Sequence, residues 1–352
     1  MRIKVVILDQ DENYKNRLMS NFQIKYADKL ELYSFSVNEQ LPENLKACKA
    51  DVVLLDDGLC TSAQEIPGDQ ILIYLSKTKD IEELNGIPAI CKFQKIETIY
   101  KQILGIYAEN VSNMKLKSGN AAGRILLFLS AQGGSGTSSA AASYALRCAD
   151  KGRKVFYLNL ELLGGAELFF SGDGAMSFSD VIYALKSKKS NLAIKMECAA
   201  KTDRSGVSFF DTCKNAYDMT ELQDEEIKDL LDGITQMGEY EDVVIDLSGD
   251  VDKRAVLLMK DYADRIICVN DGSRTGNGKF ERLCEIISIL EKRLDTDILK
   301  KMVLLYNRYS SKTSSQLTQS PVQVLGGISR YEGVAGRELI EEIAKLPVLD
   351  QI

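Results

Sequence analysis

The 352-residue chain contains no histidine, no tryptophan and only five prolines. Without histidine there is no Ser-His-Asp triad, no imidazole acid–base catalysis and no histidine-ligated metal. The eight cysteines are scattered, with no Cys-x-x-Cys pair. They read as reduced, mostly buried thiols of a cytoplasmic protein rather than a disulfide frame or a zinc site. No apolar run reaches the roughly 18 residues of a membrane-spanning helix, so no direct membrane insertion is expected. Residues 1–9, MRIKVVILD, run straight into a charged segment and do not pattern as a signal peptide. Positive charge is also short: the formal net charge is −7, which argues against a dedicated nucleic-acid binder. What remains, 45% hydrophobic and 27% charged residues, is a globular composition of a length that suits two domains.

Strand-like and helix-like runs alternate through both halves, which predicts α/β domains with parallel sheets covered on both faces. In the first half the strands are read at 3–8, 30–35, 52–55, 71–75 and 89–91, with helices at 14–22 and 94–108. In the second half the strands are read at 125–129, 155–158, 207–210, 243–245, 265–269 and 302–306. Helices there are expected at 137–150, 179–186, 224–237, 252–263 and 279–292, and a loop from about 310 leads to a short strand at 322–325. The small, polar, weakly patterned stretch 110–122 reads as a linker between domains at 1–109 and 123–352. The basic cluster Lys186, Lys188, Lys189 and Lys195 reads as a solvated helix end. Residues 337–346, stopped by Pro347, read as an amphipathic helix packed on the core.

Ser130-Ala-Gln-Gly-Gly-Ser-Gly-Thr-Ser-Ser139 lies between the apolar run 125–129 and the small-residue helix at 137–150. That is the strand–loop–helix setting in which backbone N–H groups wrap phosphates at a helix N-terminus. The usual Gly-Lys-Ser/Thr ending reads Gly136-Thr137-Ser138. Neutral residues keep the amides but lose charge-assisted phosphate contacts, which are about twice as strong as neutral ones. The loop is expected to hold a nucleotide and to hydrolyse it weakly or not at all, because cationic clamps supply much of the rate of phosphoryl transfer. Arg254, Arg274 and Lys279 are the cations considered as substitutes.

The loop resembles the deviant Walker A motif of the ParA/MinD ATPases, Ser-x-Lys-Gly-Gly-x-Gly-Lys followed by two Ser/Thr. Gln132 stands where that family has a signature lysine reaching the partner's nucleotide, and Thr137 where the general phosphate lysine stands. The resemblance implies ATP with Mg²⁺ as cofactors, wrapped by Gln132, Gly133, Gly134, Ser135, Gly136, Thr137, Ser138 and Ser139. It places Ser138 on the Mg²⁺, with Asp246 of Val243-Val-Ile-Asp246 supporting the ion. Glu161, ending Val155-Phe-Tyr-Leu-Asn-Leu-Glu161, falls at the water-positioning place, the one catalytic role if hydrolysis occurs. Asn307, in Val303-Leu-Leu-Tyr-Asn-Arg308, falls at the adenine-recognising place, and Arg308 is counted with it in the cofactor-binding set. Read without the family, the alternative for Asp246 and Asn307 is a turn-capping residue at a strand end.

Residues 1–109 resemble a response-regulator receiver with a flavodoxin-like fold. Asp9 and Asp11 follow the first strand, Asp56 ends Val52-Val-Leu-Leu-Asp56, Ser76 follows the fourth strand and Lys92 the fifth. The resemblance implies a possible Mg²⁺ site on Asp9, Asp11 and Asp56, with Asp56 as the phosphoacceptor. Gln10 interrupts the acidic run, Phe93 replaces a proline after Lys92, and no switch aromatic stands in the fifth strand. The alternative is a degenerate receiver kept for docking.

A receiver-like domain ahead of a ParA/MinD-like P-loop domain resembles the TadZ/CpaE family. That resemblance implies a nucleotide-favoured homodimer at a cell pole, acting as a localisation and assembly hub for Tad/Flp pilus proteins, the secretion ATPase among the candidate partners. Two other readings stay open: an active ParA-type positioning ATPase, and a phosphorylation-controlled regulator acting through Asp56.

Overall fold

Apolar strands buried on both faces set the architecture. The computed structural model describes residues 2–35, 40–59, 66, 70–79, 81–110, 123–187, 192–237, 240–247, 249 and 251–352. The chain divides into two compact units, 1–117 with 189–198, and 118–188 with 199–352. The expected linker lies almost wholly outside the described residues, as do Lys188 and Lys189 of the basic cluster.

The first unit contains β1 (Ile3–Leu8), β2 (Leu30–Tyr33), β3 (Val52–Asp56), β4 (Ile71–Ser76), β5 (Glu83–Leu84) and β6 (Ile87–Cys91), with helices α1 (Glu12–Lys25), α2 (Leu41–Cys48) and α3 (Ile96–Asn110). The sheet order is β2-β1-β3-β4-β6-β5, parallel apart from the β5–β6 pair. The first five strands give the flavodoxin-like order, in which sites form beyond the C-terminal strand ends. Val6, Leu8, Val53, Leu55 and Tyr74 pack with Leu41 and Leu45 of α2. Periodicity alone missed α2, although Pro42 in its first turn and the Leu41/Leu45 spacing are a helix signature.

The second unit contains β7 (Arg124–Leu129), α4 (Thr137–Asp150), β8 (Val155–Asn159), α5 (Phe178–Ser187), α6 (Leu192–Ala199, whose residues to 198 belong to the first unit), β9 (Ala200–Thr202), β10 (Ser208–Phe210), α7 (Asp218–Glu221), α8 (Asp224–Met237), β11 (Asp242–Asp246), α9 (Lys253–Leu257), β12 (Arg265–Asn270), α10 (Arg274–Leu294), α11 (Ile298–Lys301), β13 (Met302–Tyr309), β14 (Gln323–Ser329) and α12 (Gly336–Ala344). The sheet order is β14-β13-β12-β7-β11-β8-β10-β9, and only β9–β10 is antiparallel. Central β7 thus lies between β12 and β11, so the loop after it opens at a switch point of the winding. Ala140, Ala141, Ala142 and Ala145 of α4 are fully buried among β-strand side chains and Ile340 and Ile343 of α12. Small residues let this helix lie close to the sheet on one side and to α12 on the other, which bears out the core-packed reading of 337–346.

The expected helix at 252–263 is instead α9 followed by a wider π turn over Leu258–Tyr262. Ala263 N–H reaches back five residues to the Leu258 carbonyl, and the wider turn buries both Leu258 and Met259. The strand expected at 322–325 runs on to Ser329 beside β13.

Candidate functional site

The loop Ser130–Ser139 leaves β7 and enters α4 with the shape an anion cradle requires. Gly134 and Gly136 have φ of 79° and 81°, the left-handed region that glycine adopts without cost. A Cβ on Gly136 would also collide with Asn307 Nδ2, and one on Gly249 would collide with the Ser130 carbonyl. The start of the loop is closed by Ser130 Oγ, which donates to Gln132 O (2.8 Å) and accepts from Gln132 N–H (3.1 Å). The Gln132 side chain lies within its own domain, its Nε2 beside Gly276 at the start of α10. Thr137 is buried, and its hydroxyl pairs with Ser135 Oγ at 3.1 Å. Neither position at which the ParA/MinD motif has lysine presents a cation here.

Five polar side chains, those of Ser138, Tyr157, Asn159, Glu161 and Asp246, gather near the ends of β8 and β11. Asp246 is fully buried; its Oδ2 accepts from Tyr157 OH (2.8 Å) and Asn159 Nδ2 (2.9 Å). Its Oδ1 is buried without an aligned donor. Ser138 Oγ donates to Glu161 Oε2 at 3.2 Å, which brings Ser138, Asp246 and Glu161 together. Burial first, and the Glu161 charge second, push the Asp246 carboxyl up to about 7. A buried carboxylate oxygen lacking a partner, next to a hydroxyl and at the foot of an anion cradle, fits a cation. Among the described residues no three Asp, Glu, Cys or His side chains converge on a metal position. The donor set therefore suits Mg²⁺ that arrives with phosphate oxygens and keeps waters, rather than a protein-held ion.

Asn307 and Arg308 meet the loop from the other side. Asn307 Nδ2 donates to the carbonyls of Ser135 and Gly136, both at 3.0 Å, and Arg308 Nη1 donates to Gly134 O at 2.7 Å. Sequence reasoning put Asn307 on the base; these loop contacts carried no sequence signal, because they join positions more than 170 residues apart. Ser139 lies in the first turn of α4, its carbonyl accepting from Ser143 Oγ (2.6 Å). Of the substitute cations considered, Arg254 donates instead to Leu222 O (2.6 Å), while Arg274 and Lys279 lie in the first two turns of α10.

In the first unit, Lys92 Nζ lies 2.7 Å from Asp9 Oδ2 and 2.9 Å from Asp56 Oδ2, with all three side chains buried. The Tyr14 ring sits 5.3 Å from the ammonium. Burial acts to raise both carboxyls, and the outcomes differ. Asp9 stays above its ordinary value, whereas Asp56, which also accepts from Gly58 N–H, is held well below it by that bond and by Lys92. Burial opposes the Lys92 charge, but the two carboxylates outweigh it and raise the ammonium. Asp11 is not brought into this group: it is exposed, and its Oδ1 caps α1 by accepting from Asn13 N–H (3.0 Å) and Tyr14 N–H (3.1 Å). Ser76 Oγ donates to Asp57 (2.8 Å), a residue the sequence reading passed over. Lys92→Met is expected to destabilise the chain by about 3–5 kcal/mol, because it leaves two buried carboxylates without their cation. Urea unfolding should show the loss at pH 7 and a smaller one at pH 5, where those carboxyls take up protons.

Residues 1–108 match the family described as TadZ-like, receiver domain. No curated protein matches the chain. Among solved structures, a ParA family ATPase from Chlorobium tepidum TLS aligns over 65% of this chain and 97% of its own, at 15% identity and a TM-score of 0.52. The cell division ATPase MinD of Pyrococcus furiosus aligns over 63% and 99%, at 17% identity and a TM-score of 0.46. The septum site-determining protein MinD of Pyrococcus horikoshii OT3, complexed with Mg-ADP, aligns over 63% and 96%, at 19% identity and a TM-score of 0.45. The N-terminal domain is receiver-like, of TadZ type, and the α/β domain that follows has the fold of a ParA family ATPase.

Proposed function

We propose that this chain is an atypical ATP-binding protein in which ATP–Mg²⁺ acts mainly as a structural ligand favouring a homodimer. The dimer serves as a localisation and assembly hub for the Tad pilus machinery, a role supported by the TadZ-like N-terminal domain. One observation carries the proposal: the phosphate loop keeps its glycine geometry while Gln132 and Thr137 stand at both lysine positions and face protein partners. The loop amides and the α4 N-terminus suffice to attract phosphate, and the developing charge of phosphoryl transfer finds no loop lysine to clamp it. When bound, Mg²⁺ would neutralise phosphate charge; Ser138 and Asp246 would hold it. No helix among the described residues is long and apolar enough to cross a membrane, and a place at a cell pole would come from protein partners.

A slow positioning ATPase is the second reading, favoured by the Glu161 contact with Ser138. Calorimetric titration of nucleotide-stripped protein with ATP and Mg²⁺, with mass and phosphate release followed in the same samples, separates the two. Binding with a doubling of mass and no turnover is the expected result. Steady turnover that Glu161→Ala abolishes would transfer the assignment to the second reading. Absence of binding would remove both.

A further inference from the structure

The sheet pairing contains an irregularity that points at the phosphate loop. Along β13 and β14, Tyr306 pairs with Gly327 and Tyr309 with Ser329. β13 therefore advances three residues while β14 advances two. The extra residue is a bulge carrying Asn307 and Arg308, and bulges commonly re-aim side chains beside sites. Arg308 has φ of 55°, a left-handed conformation that costs a non-glycine residue free energy and is kept only where surroundings enforce it. From this bulge the two side chains donate to three consecutive loop carbonyls, those of Gly134, Ser135 and Gly136.

A trans peptide unit is planar, with C=O and N–H on opposite sides. Fixing the carbonyls of Gly134, Ser135 and Gly136 therefore fixes the N–H groups of Ser135, Gly136 and Thr137 on the other side. The Gly136 carbonyl is shared with Ala140 N–H, which ties that peptide into the first turn of α4. Among the described residues none of the three N–H groups donates to another backbone carbonyl. Each is thus available to an anion at the helix N-terminus. Hydrogen bonding at the carbonyl end also polarises each amide, strengthening its N–H as a donor.

We infer that Asn307 and Arg308 are positioning residues for phosphate: they orient the loop amides so that a di- or triphosphate is held without a loop lysine. The inference rests on the reading above that the loop binds a nucleotide, and it assigns the pair to the phosphates, where the sequence reading assigned Asn307 to adenine. Pre-organised donors lose less freedom on binding, which offsets part of what the missing charge forfeits. Both Nδ2 protons of Asn307 are directed at the loop, so only its Oδ1 is left to face a base.

The test is titration of the full chain with Mg²⁺ and, separately, ATP, GTP and inorganic tripolyphosphate. Wild type is compared with Asn307→Ala, Arg308→Ala and Arg308→Lys. Each alanine variant is expected to lose about tenfold or more in affinity, a size typical of one or two lost hydrogen bonds. The factor should be the same for all three ligands, and Arg308→Lys, which can still donate to Gly134 O, should recover most of it. Arg308 is exposed, so its variants are expected to melt like wild type. Loss confined to ATP would return the pair to base recognition and overturn the inference, as would unchanged affinity for all three ligands. Wild type that binds none of the three would overturn the nucleotide reading itself, and that result is read from the wild-type titration alone.

Discussion

Thr137→Lys is expected to give this chain a measurable ATPase activity. Position 137 opens α4 directly after the left-handed Gly136, and its present hydroxyl only pairs with Ser135. A lysine there would bring the charge that the loop lacks to the phosphates. Removing a single well-placed donor from a reacting centre commonly costs 10²–10³ in rate, so restoring one should raise turnover by roughly 10² over the wild-type level. ATP affinity should rise by about tenfold as well, since charge-assisted bonds exceed neutral ones. The gain needs Glu161 and Asp246, both at the phosphate end of the loop, so Thr137→Lys combined with Glu161→Ala should bind tightly and turn over no faster than wild type. Phosphate release by the three proteins checks this; a single variant no more active than wild type would show that the loop is unfit for chemistry for reasons beyond its missing charge.

The second large effect concerns Asp246 and acid. Its carboxyl, near 3.8 when unfolded, is pushed up to about 7 in the folded chain by burial and by Glu161. The folded state thus holds a proton that the unfolded state has released between those values. Stability is undiminished by this group below about pH 4, falls as pH rises from about 4 to about 7, and is flat above. Asp246→Asn keeps an oxygen for Tyr157 and Asn159 and removes the charge. In the absence of Mg²⁺ and nucleotide it should melt several degrees above wild type at pH 8, and the two should converge at pH 4.5. With Mg²⁺ and ATP the order should reverse at pH 8, because only the carboxylate can hold the ion. Thermal melts at the two pH values, with and without ligand, give both signs in one series; parallel melting curves at all pH values would mean that Asp246 carries no buried charge.

The elements legible in the sequence were those whose signals are local. β1 and α4 have the expected bounds, and α8 does too, because their apolar runs and periodicities are uninterrupted. The order of these runs predicted α/β domains with parallel sheets, and the receiver-like and P-loop assignments came with the family resemblances carried by Asp9, Asp56, Lys92 and the loop 130–139. What escaped depends on tertiary partners. The π turn at Leu258–Tyr262 answers to burial that no window of sequence displays. Asp11 and Asp9 look alike as letters, yet one caps a helix while the other meets a buried lysine. Phe93, read as a departure after Lys92, stands exposed with its ring against Tyr14. The Asn307 and Arg308 contacts are the clearest case: the residues were picked out, and their partners were invisible.

The bulge in β13 bears on how such sites are recognised at all. A pattern search that reads only the letters between Ser130 and Ser139 scores this loop as broken, since it weighs the two absent lysines. The shape of the loop is written elsewhere, in the register of a strand 172 residues downstream of Ser135. Deleting one residue near Arg308 would straighten β13 and release three peptide planes together, leaving the loop's own letters untouched. Degenerate phosphate loops are therefore better sought as a pair, loop and supporting strand, than as a motif.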